Sequence, residues 1–180
     1  MADSPFLIVG GGIAGLSAGL GLARIGRSAH ILEKAPRFEE VGAGLQVGPN
    51  AVCALQYLGA WDAVAPHCVS PAEIQVRDGM SGKVLQRLPL GSGFEKQFGA
   101  PYRVAHRADL HNALLESARS KPGLEFQNNA EVPGISVAET TLSLKSGKEL
   151  NGAAIIAADG VHSGIRKQLL GQPGKSPIGH

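Results

Sequence analysis

The chain has 180 residues, enough for one ordinary domain with a proper core. Apolar residues make up 43% and charged residues 18%, the balance of a soluble globular protein rather than of a disordered or membrane-filling one. A net charge of +2 without a basic block or stripe speaks against nucleic acid as a partner.

Met1-Ala2-Asp3-Ser4-Pro5 carries an acid where a secretory signal would carry lysine or arginine, and no separate export segment is expected before the first strand. Phe6-Leu7-Ile8-Val9 then reads as a fully buried strand. Gly10-Gly11-Gly12-Ile13-Ala14-Gly15 fits G-x-G-x-x-G, Leu16 to Ile25 has helical spacing, and Ala29 to Leu32 is a second buried strand ending on Glu33. Each position has a physical reason. Gly10 permits a sharp turn, Gly12 lets backbone approach a pyrophosphate, and Gly15 lets the helix sit close on the strand. The pyrophosphate meets the helix N-terminus, and an acid about 20 residues on accepts from a ribose hydroxyl. The run Phe6 to Ala23 is uncharged and near the length of a membrane span, but its six glycines make it a poor continuous helix. The nucleotide reading is preferred, and no membrane is expected.

Lys34-Ala35-Pro36-Arg37 leaves the strand. Arg37 is either a solvated loop cation or a partner for an adenine ring or phosphate. From Val41 to Ala51, glycines at 42, 44 and 48 keep one backbone edge bare, so that a flat ring could lie against it and the stretch could wall a cofactor pocket. Pro49 starts a helix that Gly59 closes. Cys53 and Cys68 form neither a C-x-x-C pair nor a disulfide framework, and are read as reduced thiols of a cytoplasmic protein. Trp61 to Val69 is expected as a short irregular helix ending near Pro66. Ala72 to Arg77 and Lys83 to Leu90 alternate as a hairpin about Asp78-Gly79-Met80-Ser81-Gly82. Gly91 to Ala100 is expected to be loop.

Tyr102 to His106 predicts a strand and Ala108 to Ser117 a helix, with Arg107 at the junction. A cation there opposes the helix dipole and is more easily understood if it faces an anion, although Asp109 offsets it. Leu124 to Gln127 is a strand leading to Asn128-Asn129-Ala130. Gly134 to Ala138 and Thr141 to Lys145 alternate, and Ala153 to Ala158 is another buried strand, ending in Asp159-Gly160. Ser163 caps a short helix, Gly164 to Leu170, which Gly171 stops. The Pro/Gly-rich end, 172–180, carries no core residue beyond Ile178.

Four motifs therefore stand in order: Gly10-x-Gly12-x-x-Gly15 with Glu33-x-x-x-Arg37; Gly42-Ala43-Gly44-Leu45-Gln46-x-Gly48-Pro49-Asn50-Ala51; Arg107-Ala108-Asp109-Leu110; and Asp159-Gly160-x-x-Ser163-x-x-Arg166. Together they resemble the FAD-dependent aromatic-ring monooxygenases, on the salicylate-hydroxylase side of that family, over nearly the whole chain. The resemblance implies an α/β fold, a Rossmann-like FAD/NAD(P)-binding domain with a partial antiparallel sheet insertion. It divides the chain into an incomplete FAD-binding domain over 1–71 and 101–175, a substrate-domain hairpin over 72–100, and a tail at 176–180. It implies that backbone at Gly12 to Gly15, particularly Ala14, holds the FAD pyrophosphate after the turn at Gly10, also a cofactor-site residue, and that Glu33 holds the ribose, with Lys34 and Arg37 beside it. Gln46 would lie along the flavin, Arg107 would reach the nucleotide, Ala130 would present backbone to the adenine, and Asp159 would serve FAD and the nicotinamide donor. In such enzymes NADH or NADPH reduces the flavin, O₂ is activated, and a small phenolic ring is hydroxylated.

The resemblance also sets an expectation about what is missing. The family's second flavin motif, Gly-Asp followed by small residues and His, is absent, as is most of the substrate sheet. A fragment or truncated frame is expected, binding FAD weakly and self-associating through unpaired strand edges. No residue is assigned as a catalytic acid or base or as a metal ligand. The histidines at 30, 67, 106, 111, 162 and 180 are read as structural. Two other readings remain: a different flavin oxidoreductase, such as an epoxidase or reductase, on the same scaffold, or a non-catalytic FAD- or NAD-binding module. An NAD dehydrogenase would leave Arg107 and the Asp159 motif unexplained.

Overall fold

The computed structural model of the chain describes residues 4–39 and 42–171. Val41, His180, the expected domain end at 172–175 and the expected tail at 176–180 lie outside them. The chain divides into two compact units, Met1–Glu40 with Leu114–His180, and Val41–Ala113.

In the first unit, β1 (Phe6–Val9) leads into α1 (Ile13–Arg24) and β2 (Ala29–Leu32). Three of the four residues in each strand are buried, as expected of short apolar runs in a parallel sheet. The chain enters the second unit through β3 (Gly44–Val47), α2 (Pro49–Leu58), α3 (Trp61–Val64), a 3₁₀ turn (Ala65–His67) and β4 (Cys68–Val69). It continues through β5 (Glu73–Arg77), β6 (Val84–Pro89), α4 (Ser92–Phe98) and β7 (Arg103–His106) into α5 (Arg107–Arg119). Then follow β8 (Leu124–Gln127), β9 (Gly134–Ser136), β10 (Thr141–Ser143), β11 (Glu149–Asn151), β12 (Ala154–Ala157) and α6 (Gly164–Leu170).

The first unit is built on a parallel sheet in the order β12-β1-β2-β8. Helix α1 lies against β1, β2 and β12. A Cβ on Gly19 would stand 2.8 Å from Ile31 Cδ1, so glycine there lets the helix approach the sheet. A second, antiparallel sheet, β11-β10-β9, shares a core with the first: Leu7, Val9 and Leu32 pack with Leu142, Leu144, Ala130 and Ile165. This is the α/β, Rossmann-like architecture read from the sequence.

In the second unit β7 is the middle strand of an antiparallel sheet, β3-β7-β4, and β5 and β6 form a separate hairpin. The expected division placed 41–71 and 101–113 with the FAD-binding domain; by compactness those segments group with the hairpin, because β3, β4 and β7 pair with one another and not with the parallel sheet. One local expectation, the loop over 91–100, is corrected, and two short strands are added. The short irregular helix expected from Trp61 and ending near Pro66 ends at His67, and Cys68 and Val69 beyond it pair with β7. The expected loop 91–100 contains α4, entered at Gly91 and closed by Gly99 at φ 77. The polar triplet Glu149–Asn151 is a strand, paired with β10. The uncharged run from Phe6 is a strand, a turn and a 12-residue helix, and among the described residues no helix is long and apolar enough to cross a membrane.

Candidate functional site

The first unit gathers most of the predicted site residues at one end of its parallel sheet. β1 ends at Val9, and Gly10 follows at φ 110, in the left-handed region that a side chain disfavours. Space forbids a side chain there as well: a Cβ on Gly10 would lie 2.2 Å from the Ala158 carbonyl oxygen and 3.2 Å from the Asp159 nitrogen. The Ala158 N–H donates to the Val9 carbonyl at 2.8 Å. The glycine turn and the Asp159 motif, 149 positions apart in sequence, are thus two sides of one junction.

Gly12 is the N-cap of α1, extended and without a side chain to cap the helix. Its carbonyl accepts the first helical bond from Leu16, which leaves the amides of Ile13, Ala14 and Gly15 ahead of the helical ladder. A Cβ on Gly15 would stand 1.9 Å from the Gly10 carbonyl oxygen, so the closest obstacle is the loop's own backbone, ahead of the strand side chain Ile8 at 3.3 Å. Ala14 is exposed at this turn. Bare amides, a helix start and no room for side chains form a cradle that suits a dinucleotide pyrophosphate.

Glu33 closes the cradle at the end of β2. Its Oε2 accepts from the Gly11 N–H at 2.8 Å and its Oε1 from the Ala35 N–H at 2.9 Å. An ionised carboxylate has about four acceptor sites, so these two amides do not exhaust its capacity to accept from a ligand. The Glu33 backbone is fixed at both ends, with its N–H on Gln127 and its carbonyl accepting from Ala130 at 2.8 Å. Ala130 is buried, and its N–H is spent on Glu33. Lys34 and Arg37 are exposed; the Arg37 side chain is 79% accessible and pairs with Glu39 at 3.5 Å.

Asp159 and Ser163 share the start of α6. Asp159 Oδ2 accepts from the Ile165 N–H at 3.2 Å, and Ser163 Oγ accepts from the Arg166 N–H at 2.9 Å. Arg166, the last member of the motif, donates to the Val161 carbonyl at 2.7 Å and so holds the loop closed. An open depression of about 330 Å³ lies here, lined by Ala157, Asp159, Gly160, Ser163, Arg166 and Leu170 among others.

Gln46 and Arg107 stand in the second unit. Gln46 is exposed on β3, opposite Val104. Arg107 opens α5 and its N–H donates to the Ala43 carbonyl at 3.2 Å. A Cβ on Gly42 would meet Arg107 Cδ at 2.8 Å, so the glycine accommodates the arginine stem as well as leaving backbone bare. Among the described residues no grouping of His, Cys, Asp and Glu could hold a metal ion. Sequence reasoning overlooked Phe38, Asn128 and Gln168. Phe38 is buried against the glycine turn, and the Asn128 side chain donates to the Pro36 carbonyl. The Gln168 amide bonds both the N–H and the carbonyl of Ile135. Phe38 left a signal, a large apolar residue amid Pro36, Arg37 and Glu39.

Residues 3–179 match the family described as FAD binding domain. Among characterised relatives, the 3-hydroxybenzoate 6-hydroxylase of Polaromonas naphthalenivorans (strain CJ2) is 40% identical over 172 residues, covering 94% of this chain and 43% of that enzyme. The solved 2-methyl-3-hydroxypyridine-5-carboxylic acid oxygenase, in a tetrameric form, superposes with a TM-score of 0.82 at 28% identity, over 94% of this chain and 43% of that one. Klebsiella pneumoniae R204Q HpxO, solved in complex with FAD, superposes with a TM-score of 0.81 at 26% identity, over 96% of this chain and 44% of that one. The chain thus spans less than half the length of these relatives.

Proposed function

This chain belongs to the FAD binding domain family, and from that premise we propose that it is the N-terminal, FAD-holding part of a monooxygenase. That enzyme uses NADH or NADPH and O₂ to hydroxylate a small aromatic substrate of salicylate or hydroxybenzoate type. The observation that carries the FAD reading is the Glu33 carboxylate, tied to the Gly11 amide beside a side-chain-free helix start. The substrate class is supported by the relatives' names, since 3-hydroxybenzoate and 2-methyl-3-hydroxypyridine-5-carboxylic acid are both aromatic rings bearing a hydroxyl and a carboxyl group.

In this reading Gly10 makes the turn, backbone at Gly12 to Gly15, particularly Ala14, holds the pyrophosphate, and Glu33 holds the ribose, with Lys34 and Arg37 at its exposed edge. Ala130 presents backbone to the adenine, and the Asp159 loop borders the cofactor. For Gln46 at the flavin and Arg107 at the nucleotide, the proposal rests on motif resemblance alone. Bound flavin supplies the redox chemistry, taking electrons from the nicotinamide and passing them to O₂; the residues here grip, orient and shield it. We assign the β5–β6 hairpin to the substrate-binding part and the protein to the cytoplasm. Self-association through the hairpin edges belongs to the same reading.

Titration of the purified chain with FAD, followed by flavin fluorescence, tests the cofactor assignment; unchanged fluorescence at saturating protein would remove it. The complete enzyme carrying this chain should place isotope label from O₂ on the ring of its product while consuming NADH or NADPH. Nicotinamide oxidation without ring label would replace hydroxylation by a reductase activity. Light scattering decides the association state.

A further inference from the structure

We propose that Phe38 is a positioning residue for the dinucleotide loop, and that Gly11, a position the G-x-G-x-x-G pattern leaves free, is glycine in this chain because Phe38 occupies the place of its side chain. A Cβ on Gly11 would lie 2.4 Å from Phe38 Cε1, 2.5 Å from Phe38 Cδ1 and 3.1 Å from the Glu33 Cβ. Atoms that close must move apart. The ring has nowhere easy to go. It is 8% exposed, and it stands edge-on to Phe126, with centroids 5.7 Å apart and planes at 80°. Phe126 lies in β8, opposite Ile31 of β2, so the ring is backed by the parallel sheet.

Gly11 is therefore held twice over. Its N–H is taken by Glu33 Oε2 and the direction of its missing side chain is filled by the Phe38 ring. Together these fix the orientation of the peptide that leads into Gly12 and the start of α1. The same carboxylate also receives the Ala35 N–H, which ties the segment carrying Phe38 back to the loop. Pyrophosphate cradle and ribose acceptor are thus set as one body before any ligand arrives, which lowers the ordering cost of binding. The role assigned to Phe38 is exerted through Gly11. The inference rests on the FAD reading for its functional half, while the packing half stands on geometry alone.

A double-mutant cycle on the 180-residue chain tests it, with Gly11→Ala, Phe38→Ala and the double variant read by both FAD affinity and denaturant unfolding. Gly11→Ala alone is expected to weaken FAD binding at least ~10-fold and to lower the unfolding midpoint. In the Phe38→Ala background the added methyl is expected to cost nothing further in either measurement. Additive losses would overturn the proposal, as would a Gly11→Ala chain that binds FAD like the parent. If the parent chain bound no FAD, the cofactor reading would fall and the functional half with it, while the unfolding cycle would still judge the packing. If Gly11→Ala does not fold but the double variant does, that is the rescue expected. If neither folds, Phe38→Leu decides: a folded Phe38→Leu chain should show weakened FAD binding, and unchanged affinity would overturn the positioning role.

Discussion

The crossing from β1 through α1 to β2 and the hairpin β5–β6 are both local pieces of chain joined by a glycine-containing turn, yet they are held by opposite means. In the crossing, Leu7, Ile8, Leu16, Leu20, Ile31 and Leu32 are all but fully buried, and glycines stand where a methyl group would strike backbone or ring. In the hairpin, Val76, Leu85 and Leu88 are exposed and Met80 at the turn is 97% accessible. The described residues there are joined by a backbone ladder, the Glu73–Arg87 pair, side-chain bonds from Gln75 to Glu73 and from Arg77 to Gln75, and a turn in which Asp78 accepts from the Met80 and Ser81 amides and the Ser81 hydroxyl and Ser81 Oγ from the Lys83 N–H. Close packing makes the first region intolerant of added atoms and a place where geometry can be held for a ligand. The second is tolerant and open to pairing.

The largest expected effect on FAD binding comes from adding one methyl to the crossing. Gly15→Ala sets a Cβ against the Gly10 carbonyl, backbone on backbone, where no side chain can swing aside. Overpacking of this kind costs about 1–3 kcal/mol or more, and FAD titration should show binding lost while denaturant unfolding shows the destabilisation. Removing atoms sharpens the contrast. Leu16→Ala in the crossing should cost about 2–5 kcal/mol, and Leu85→Ala in the hairpin no more than about 0.5 kcal/mol. Urea unfolding of both variants decides, and equal losses would erase the distinction between the regions.

The crossing was also the part most legible in the sequence. Phe6–Val9, the glycines, Ala29–Leu32 and Glu33 are contiguous signals whose meaning is local, and the Ser163 cap and Gly171 stop of α6 are likewise local. What escaped was set by partners distant in sequence or by short elements. β4 is two residues long and exists because β7 accepts it, and the polar β11 is three residues long. The helix α4 was hidden by its flanking glycines. That Gly11 answers to Phe38, and Gly42 to Arg107, needs coordinates: 27 and 65 positions separate the partners.

A smaller effect is expected where the Asp159 loop meets α6. Ser163→Ala removes the Oγ that accepts from Arg166 and should cost about 1 kcal/mol in thermal or denaturant unfolding, since Asp159 still accepts from Ile165. The smallest concerns pH. Burial, with a lesser push from Lys148, holds the His30 imidazole below its ordinary 6.5 against the attraction of Glu125. The unfolded chain therefore takes up this proton at a higher pH than the folded one. The contribution is complete above pH 6.5, is lost as the pH falls below it, and levels off beneath the folded value. Unfolding midpoints compared between pH 7.5 and pH 5 should fall less for His30→Gln than for the parent chain; identical slopes would remove this account of His30.

Amide hydrogen exchange of the chain, measured with and without FAD, tests the central claim most directly. If the glycine turn and Glu33 receive the dinucleotide, exchange should slow in peptides covering 9–16 and 33–38 while the hairpin 73–89 stays unchanged. Slowing confined to the hairpin, or none at the glycine turn at saturating FAD, would contradict it.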